Sequence, residues 1–381
     1  MQARKQPPVL VINAGSSSIK LAVFAGGAAR LSGLVEGIGG AGRLRLGDAR
    51  REGDFPDHAA ALSALLDALS GQGAPLDTFR AAAHRVVHGG SLTAPARLTP
   101  DTLATIRAAI PLAPLHNPHN LAAIETLARL APDLPQTASF DTAFHATNPD
   151  LATRYAVPAH IAARGIRRYG FHGISFAALT EALPRLSGAP LPARLLALHL
   201  GNGCSLCAIR DGKSVATTMG YSPLSGLTMG TRAGEIDGNA VLRLAEEDGI
   251  DATRHLLNHE SGLRGLSGGP SDMRALLADP SPGSAFAVDH FCYWATRQAG
   301  SLIAAMGGVD ALAFTGGIGE NAAPVRARIV EGLDWLGARL DAVANEAGAP
   351  RLHAAGSLPI WIVPAAEEAR IAADALALLG A

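Results

Sequence analysis

Four stretches of the chain share one pattern, an apolar run that stops abruptly in glycine or polar residues. They are Val9–Asn13, Ala81–Gly90 (AAAHRVVHGG), Leu195–Gly203 (LLALHLGNG) and Ala311–Asn321 (ALAFTGGIGEN). Short apolar runs closed by turn residues read as strands buried on both faces of a sheet. Between them lie stretches with helical spacing, His119–Leu130 and Ser284–Met306, and Asn117-Pro118 is a start signal for the first. Strands alternating with helices predict an α/β fold.

The first and third runs echo each other. Each passes from a strand through a tight turn of glycine and small polar residues into a second strand, and the later one continues through Asp211-Gly212, a hairpin signal. The echo predicts two related halves, each offering a polar hairpin tip to a shared cleft. Asn148-Pro149-Asp150 breaks the pattern and marks a boundary near residue 150. The expected division is an N-terminal α/β domain over 1–150 and a C-terminal one over 151–381, the last helix packing back on the first.

Composition narrows the function. At 381 residues, 48% hydrophobic and 17% charged, the chain has the profile of a soluble protein of about two domains. Its 33 acidic and 32 basic residues nearly cancel, and no basic stripe invites nucleic acid or an anionic membrane. The opening MQARKQPP is followed by an apolar run broken at Asn13, so it reads as neither a secretory signal nor a membrane span. Cys204, Cys207 and Cys292 cannot build a disulfide framework, which points to a reducing cytoplasm. Cys204 and Cys207 have C-x-x-C spacing, but they sit inside an apolar stretch with no second pair of ligands. They read as small residues filling a strand.

The turn Gly15-Ser16-Ser17-Ser18, with Lys20 behind it, offers backbone N–H groups, hydroxyls and a cation to an anion such as phosphate. Alone it reads as a solvated hairpin. A Walker pattern is absent, and GIGGAG at Gly37–Gly42 is followed by LRLGD where a dinucleotide fingerprint needs a helix. More telling are Arg and His beside glycine turns: His84, Arg85 and His88 in HRVVHGG, Arg232 in MGTRAGE, His172 in RYGFHG and His116 in PLHNP. Arg grips carboxylate and phosphate oxygens bidentately, and Asp141 in SFDTAFH stands at the end of another apolar run. Two Arg, a His and an acid suit phosphoryl transfer, which depends on positioning and charge stabilisation.

The segments VINAGSSSIK, HRVVHGG, PLAPLHNP, FDTAFH, RYGFHG, HLGNG, GLTMGTR, SGLRGLSGGPSDMR, FTGGIGEN and the terminal EEARIA occur in one order along nearly the whole chain. Together they resemble the acetate kinases and their short-chain carboxylate kinase relatives. The resemblance implies the duplicated actin-like, sugar-kinase and Hsp70-type ATPase superfold, two α/β domains around a nucleotide cleft. It implies reversible transfer of phosphate from ATP to acetate by direct in-line attack, giving acetyl phosphate and ADP, with Mg²⁺ or Mn²⁺, in a homodimer.

Carried over by residue, it places Asn13, Ser16, Ser18 and Lys20 near the metal and phosphates. Arg85 and Arg232 would hold the carboxylate and the transferring group, Asp141 would position acetate or metal, and His172 would contact the phosphoryl oxygens. His116 and His199 would support the pocket. Asn202 and Gly203 would approach the nucleotide phosphates, with His199 and Lys20 on the same side. Asp272, Met273, Arg274, Gly317, Ile318 and Asn321 would sit by the adenosine, and Asn13 and Glu367 by the metal, with Glu368 the neighbouring choice.

Val87, Leu115 and Pro223 resemble the acetate-pocket lining. Val87 is expected two residues along the strand from Arg85, on the same face. The chain departs from the family pattern at Ala365-Ala366, Glu235 and Ser225. The nearest rival reading is a propionate or butyrate kinase. A non-catalytic ATP-dependent clamp of the same superfold would not need Arg85, Arg232, His172 and Asp141 together.

Overall fold

The computed structural model describes residues 7–380; the reading of MQARKQ lies outside them. The chain divides into two compact units. The first takes the residues up to Phe144, Gly173–Ala178 and the stretch from Ala366; the second takes His145–His172 and Leu179–Ala365.

In the first unit, β1 (Val9–Ala14), β2 (Ser18–Ala25), β3 (Ala28–Glu36), β4 (Gly40–Leu46) and β5 (Ala49–Phe55) run as an antiparallel meander. Beyond it come β6 (Ala81–Val86), β7 (Ala96–Arg97) and β8 (Gln136–Phe140), in sheet order β5-β4-β3-β2-β1-β6-β8-β7. β6 lies parallel to both β1 and β8. The unbroken apolar run of β1 is explained by two covers. Leu10 and Ile12 pack with Leu62 and Leu65 of the helix His58–Gly71, while Val9 and Val11 pack with Ile371 and Ala375 of Glu367–Leu378. Gly37–Gly42 forms the β3–β4 hairpin with Gly37 and Gly39 at positive φ, and a strand follows, as the missing helix signal requires.

In the second unit, β9 (Arg194–Leu200), β10 (Cys204–Arg210), β11 (Lys213–Thr217), β12 (Ala311–Thr315) and β13 (Ile360–Ile362) stand in order β11-β10-β9-β12-β13. Asp211 and Gly212 close β10 onto β11 with φ of 50° and 76°, the left-handed pair that a two-residue hairpin requires. The core of the first sheet, β3-β2-β1-β6-β8, repeats this order: an antiparallel meander of three strands, then two parallel neighbours. The duplication expected from the echoing hairpins is therefore present in the strand topology, and the fold is α/β with two sheets.

Candidate functional site

The first unit gathers its chemistry on one face of its sheet. Side chains alternate along a strand, so Asn13 shares the face of Val9 and Val11, Lys20 that of Ala22, and Arg85 that of Ala83. This is the face covered by the helix Glu367–Leu378. Asn13 pairs with Lys20 across β1–β2, and the first turn of the covering helix supplies Glu367 and Glu368.

Arg85 binds Asp141 bidentately, Nε donating to Oδ1 at 3.1 Å and Nη2 to Oδ2 at 2.6 Å, while Nη1 donates to Asn13 Oδ1 at 3.3 Å. Asp141 is 1% exposed. Burial by itself weakens a guanidinium's hold on its proton, but Asp141, Glu367 and Glu368 outweigh it and raise the Arg85 pKa above its ordinary value. Three of the five N–H donors of Arg85 are engaged, leaving one on each terminal nitrogen for an incoming oxyanion. Lys20 is exposed and forms no ion pair among the described residues.

Val87 does not continue the strand. β6 ends at Val86, and Val87 lies in a bend whose N–H donates to Asn120 Oδ1 at 3.1 Å. The same-face argument from Arg85 therefore fails, although the side chain is 6% exposed. Leu115 is half-buried just before the helix Asn117–Leu130, whose N-cap is His116. Asn117 and Asn120, one turn apart on that helix, were not among the expected site residues. Asn117 Oδ1 accepts from His88 N and its Nδ2 donates to His88 O, while Asn120 Nδ2 donates to Ala14 O at 2.7 Å. The spacing of NPHN at a helix start was the signal.

The second unit brings His172, His199, Gly203, Arg232 and Pro223 together. His172 stacks on His199 with ring centroids 4.2 Å apart, and its Nδ1 lies 2.9 Å from Ser205 Oγ. Its φ of 58° is left-handed, a conformation a non-glycine residue holds only where surroundings enforce it. A Cβ added to Gly203 would lie 2.9 Å from Arg232 Nη2 and 3.1 Å from His172 Nε2, so both nitrogens flank the bare backbone of Gly203. Pro223 contributes its carbonyl, which accepts from Arg232 Nη1 at 2.5 Å. A guanidinium and an imidazole nitrogen converging beside glycine backbone make a site suited to an oxyanion.

A cavity of about 660 Å³ in the same unit is lined by Asn202, Asp272, Met273, Arg274, Gly317, Ile318 and Asn321. The segments that gather here are separated by up to about a third of the chain in sequence. Asp272 caps its helix by accepting from Arg274 N and Ala275 N and pairs with the Arg274 side chain, whose hydrogen bond holds its carboxyl down to about 2. Glu320, also not expected, accepts on Oε1 from Gly316 N and Ala365 N, both at 2.9 Å, and fixes the glycine turn after β12. Cys204 and Cys207 are buried in β10, and burial pushes both thiols up to about 12, so they remain protonated and inert.

The chain matches the Acetokinase family over residues 8–373. It belongs to the acetokinase family. Among curated members, it is 44% identical to an acetate kinase of Rhodopseudomonas palustris over 96% of each chain, and 45% identical to one of Deinococcus deserti over 98% of each. In structure, it resembles the Porphyromonas gingivalis acetate kinase with a TM-score of 0.90 at 34% identity, covering 98% of this chain and 100% of that one. A propionate kinase from Francisella tularensis is as similar, with a TM-score of 0.92 at 34% identity over 97% and 99%. The acetokinase match spans the segments that carry both residue sets described above.

Proposed function

We propose that the chain is a kinase that transfers the γ-phosphate of ATP reversibly to acetate, giving acetyl phosphate and ADP. The observation that carries this reading is the convergence of His172 Nε2 and Arg232 Nη2 over Gly203, in the unit whose cavity gathers the expected nucleotide residues. Acetate is ionised at neutral pH and needs no general base. The obstacle is the approach of one anion to another. His172 and Arg232 donate to the transferring group, and the two remaining N–H donors of Arg85 are suited to a carboxylate. Asp141 keeps that guanidinium charged and fixed in place. Such preorganised donors act where charge develops and need no rearrangement during the reaction.

Asn13 Oδ1, Glu367 and Glu368 are hard oxygen donors of the kind Mg²⁺ takes, and Mn²⁺ shares that preference. Among the described residues no three His, Cys, Asp or Glu side chains converge on one point. A metal here would therefore complete its shell with water and substrate phosphate. Bound there, it would neutralise phosphate charge; Asn13 and one of the two Glu would hold it.

A homodimer is in keeping with large apolar side chains exposed on the second unit, Leu242 at 62%, Ile250 at 67%, Phe286 at 57% and Tyr293 at 65%. A cytoplasmic location is in keeping with three buried free thiols.

The test is a hydroxamate assay of initial rates with ATP, Mg²⁺ and a panel of acetate, propionate and butyrate. Acetate is expected to give the highest kcat/KM, propionate falling by roughly 1–3 kcal/mol for one methylene. A propionate optimum would move the chain to the rival reading, and no acyl phosphate with any acid would refute kinase activity.

A further inference from the structure

We propose that Ser205 is a positioning residue that locks His172 in the tautomer carrying its proton on Nε2. The inference rests on the reading of His172 and Arg232 as contacts of the transferring phosphoryl group, and it assigns a protonation state to that contact.

Ser205 lies on β10 in register with His199 and is fully buried. Its hydroxyl makes one hydrogen bond, to His172 Nδ1 at 2.9 Å. Distance alone leaves the donor open, but the hydrogen-bond inventory does not. If Nδ1 carried the proton and donated to Oγ, the serine hydroxyl would have to bury its own proton without an acceptor, which folded interiors avoid. The satisfied arrangement has Ser205 donating and Nδ1 accepting. In a neutral imidazole the proton then resides on Nε2.

Nε2 is the atom that faces Gly203 beside Arg232 Nη2. The ring is held there by its left-handed backbone and by the stack on His199, so the tautomer is the freedom left to fix. Among the titratable and charged groups that face His172 in its unit are His199 and Arg232. Arg232 already supplies a full positive charge. A neutral His172 with Nε2–H adds a second donor without placing another cation beside the first.

The test uses the full chain labelled with ¹⁵N on histidine, with His172→Gln to assign the signals. At neutral pH, His172 is expected to show an unprotonated Nδ1 and a protonated Nε2, and Ser205→Ala to show a mixture. In kinetics, Ser205→Ala should lower kcat by about tenfold to a hundredfold with the KM for ATP and acetate little changed. The deficit should shrink on acidification, because a second proton on the ring restores Nε2–H whichever tautomer preceded it. Ser205→Thr, which keeps the hydroxyl, should recover most of the rate. A wild-type His172 protonated on Nδ1, or a Ser205→Ala enzyme with wild-type kcat and pH profile, would overturn the proposal. The nitrogen spectrum reads the tautomer whether or not acetate is the substrate, so failure of the kinase reading and failure of this assignment are separate results.

Discussion

A methyl group at position 203 would sit between Arg232 Nη2 and His172 Nε2, where the phosphoryl oxygens are proposed to bind. The nearest atom it meets, Arg232 Nη2, ends a flexible side chain that can give way while the His172 ring stays in place, so Gly203→Ala is expected to fold with a nearly unchanged melting temperature. Its kcat should fall by roughly 10²–10³, the loss typical of one misplaced oxyanion donor. Normal turnover in a folded Gly203→Ala protein would remove these two nitrogens from the reaction. Arg85 behaves differently because it also neutralises Asp141, whose side chain is 2% exposed. Deleting Arg85 removes the cation paired with that buried charge, at a cost of about 3–5 kcal/mol. Arg85→Ala should therefore lose both stability and turnover. Arg85→Lys should recover much of the stability and little of the turnover, since an ammonium cannot hold Asp141 and a substrate with one planar fork. Urea midpoints beside kcat for the two variants check this. Equal stability of Arg85→Ala and wild type would contradict the burial of the pair.

The elements that carry these residues depend on links that a linear reading passes over. Asn120 joins the end of β1 to the bend after β6 through Ala14 O and Val87 N. Asn120→Ala strands both backbone groups in the interior, each at about 1–3 kcal/mol. Urea denaturation is expected to show that loss, and a change under about 0.5 kcal/mol would mean the groups find other partners. Strand ends, glycine turns, the Asp211-Gly212 hairpin and the placing of Arg and His beside glycine turns were legible because each has a local cause in the residues beside it. The strand was read one residue too far at Val87 because nothing local announces that it stops at Val86; the bend there is held by Asn120, far along the chain. Ser205 was hidden inside an apolar strand, where a lone hydroxyl reads as filler until its partner is known. Glu320 was quoted in FTGGIGEN, but its part in holding Ala365 appears only in three dimensions.

For the molecule as a whole, buried neutral histidines set an acid limit. Burial lowers His84 and His88 in the first unit and His145 in the second to about 4. The unfolded chain takes up protons on these rings from about pH 6.5, while the folded one does not until near 4. The stability they provide is thus complete above pH 6.5 and is lost as pH falls through that window. Each group removes about 1.4 kcal/mol per pH unit. Melting temperatures from pH 7 to 4.5 should fall steeply, and a flat profile would contradict neutral burial. The make-up of the first unit also orders events during synthesis. Its strands β1 and β6 leave the ribosome early, but one face of them is covered by Glu367–Leu378, which follows every element of the second unit. The second unit is drawn from His145–His172 and Leu179–Ala365, so all of it is made before the covering helix. Since units fold as the chain emerges, the first unit is completed after the second, with Val9, Val11 and Ala83 awaiting cover. Glu367 and Glu368 arrive on the same helix that closes that face, so a chain cut short before Ala366 lacks the cover and the proposed metal acids together.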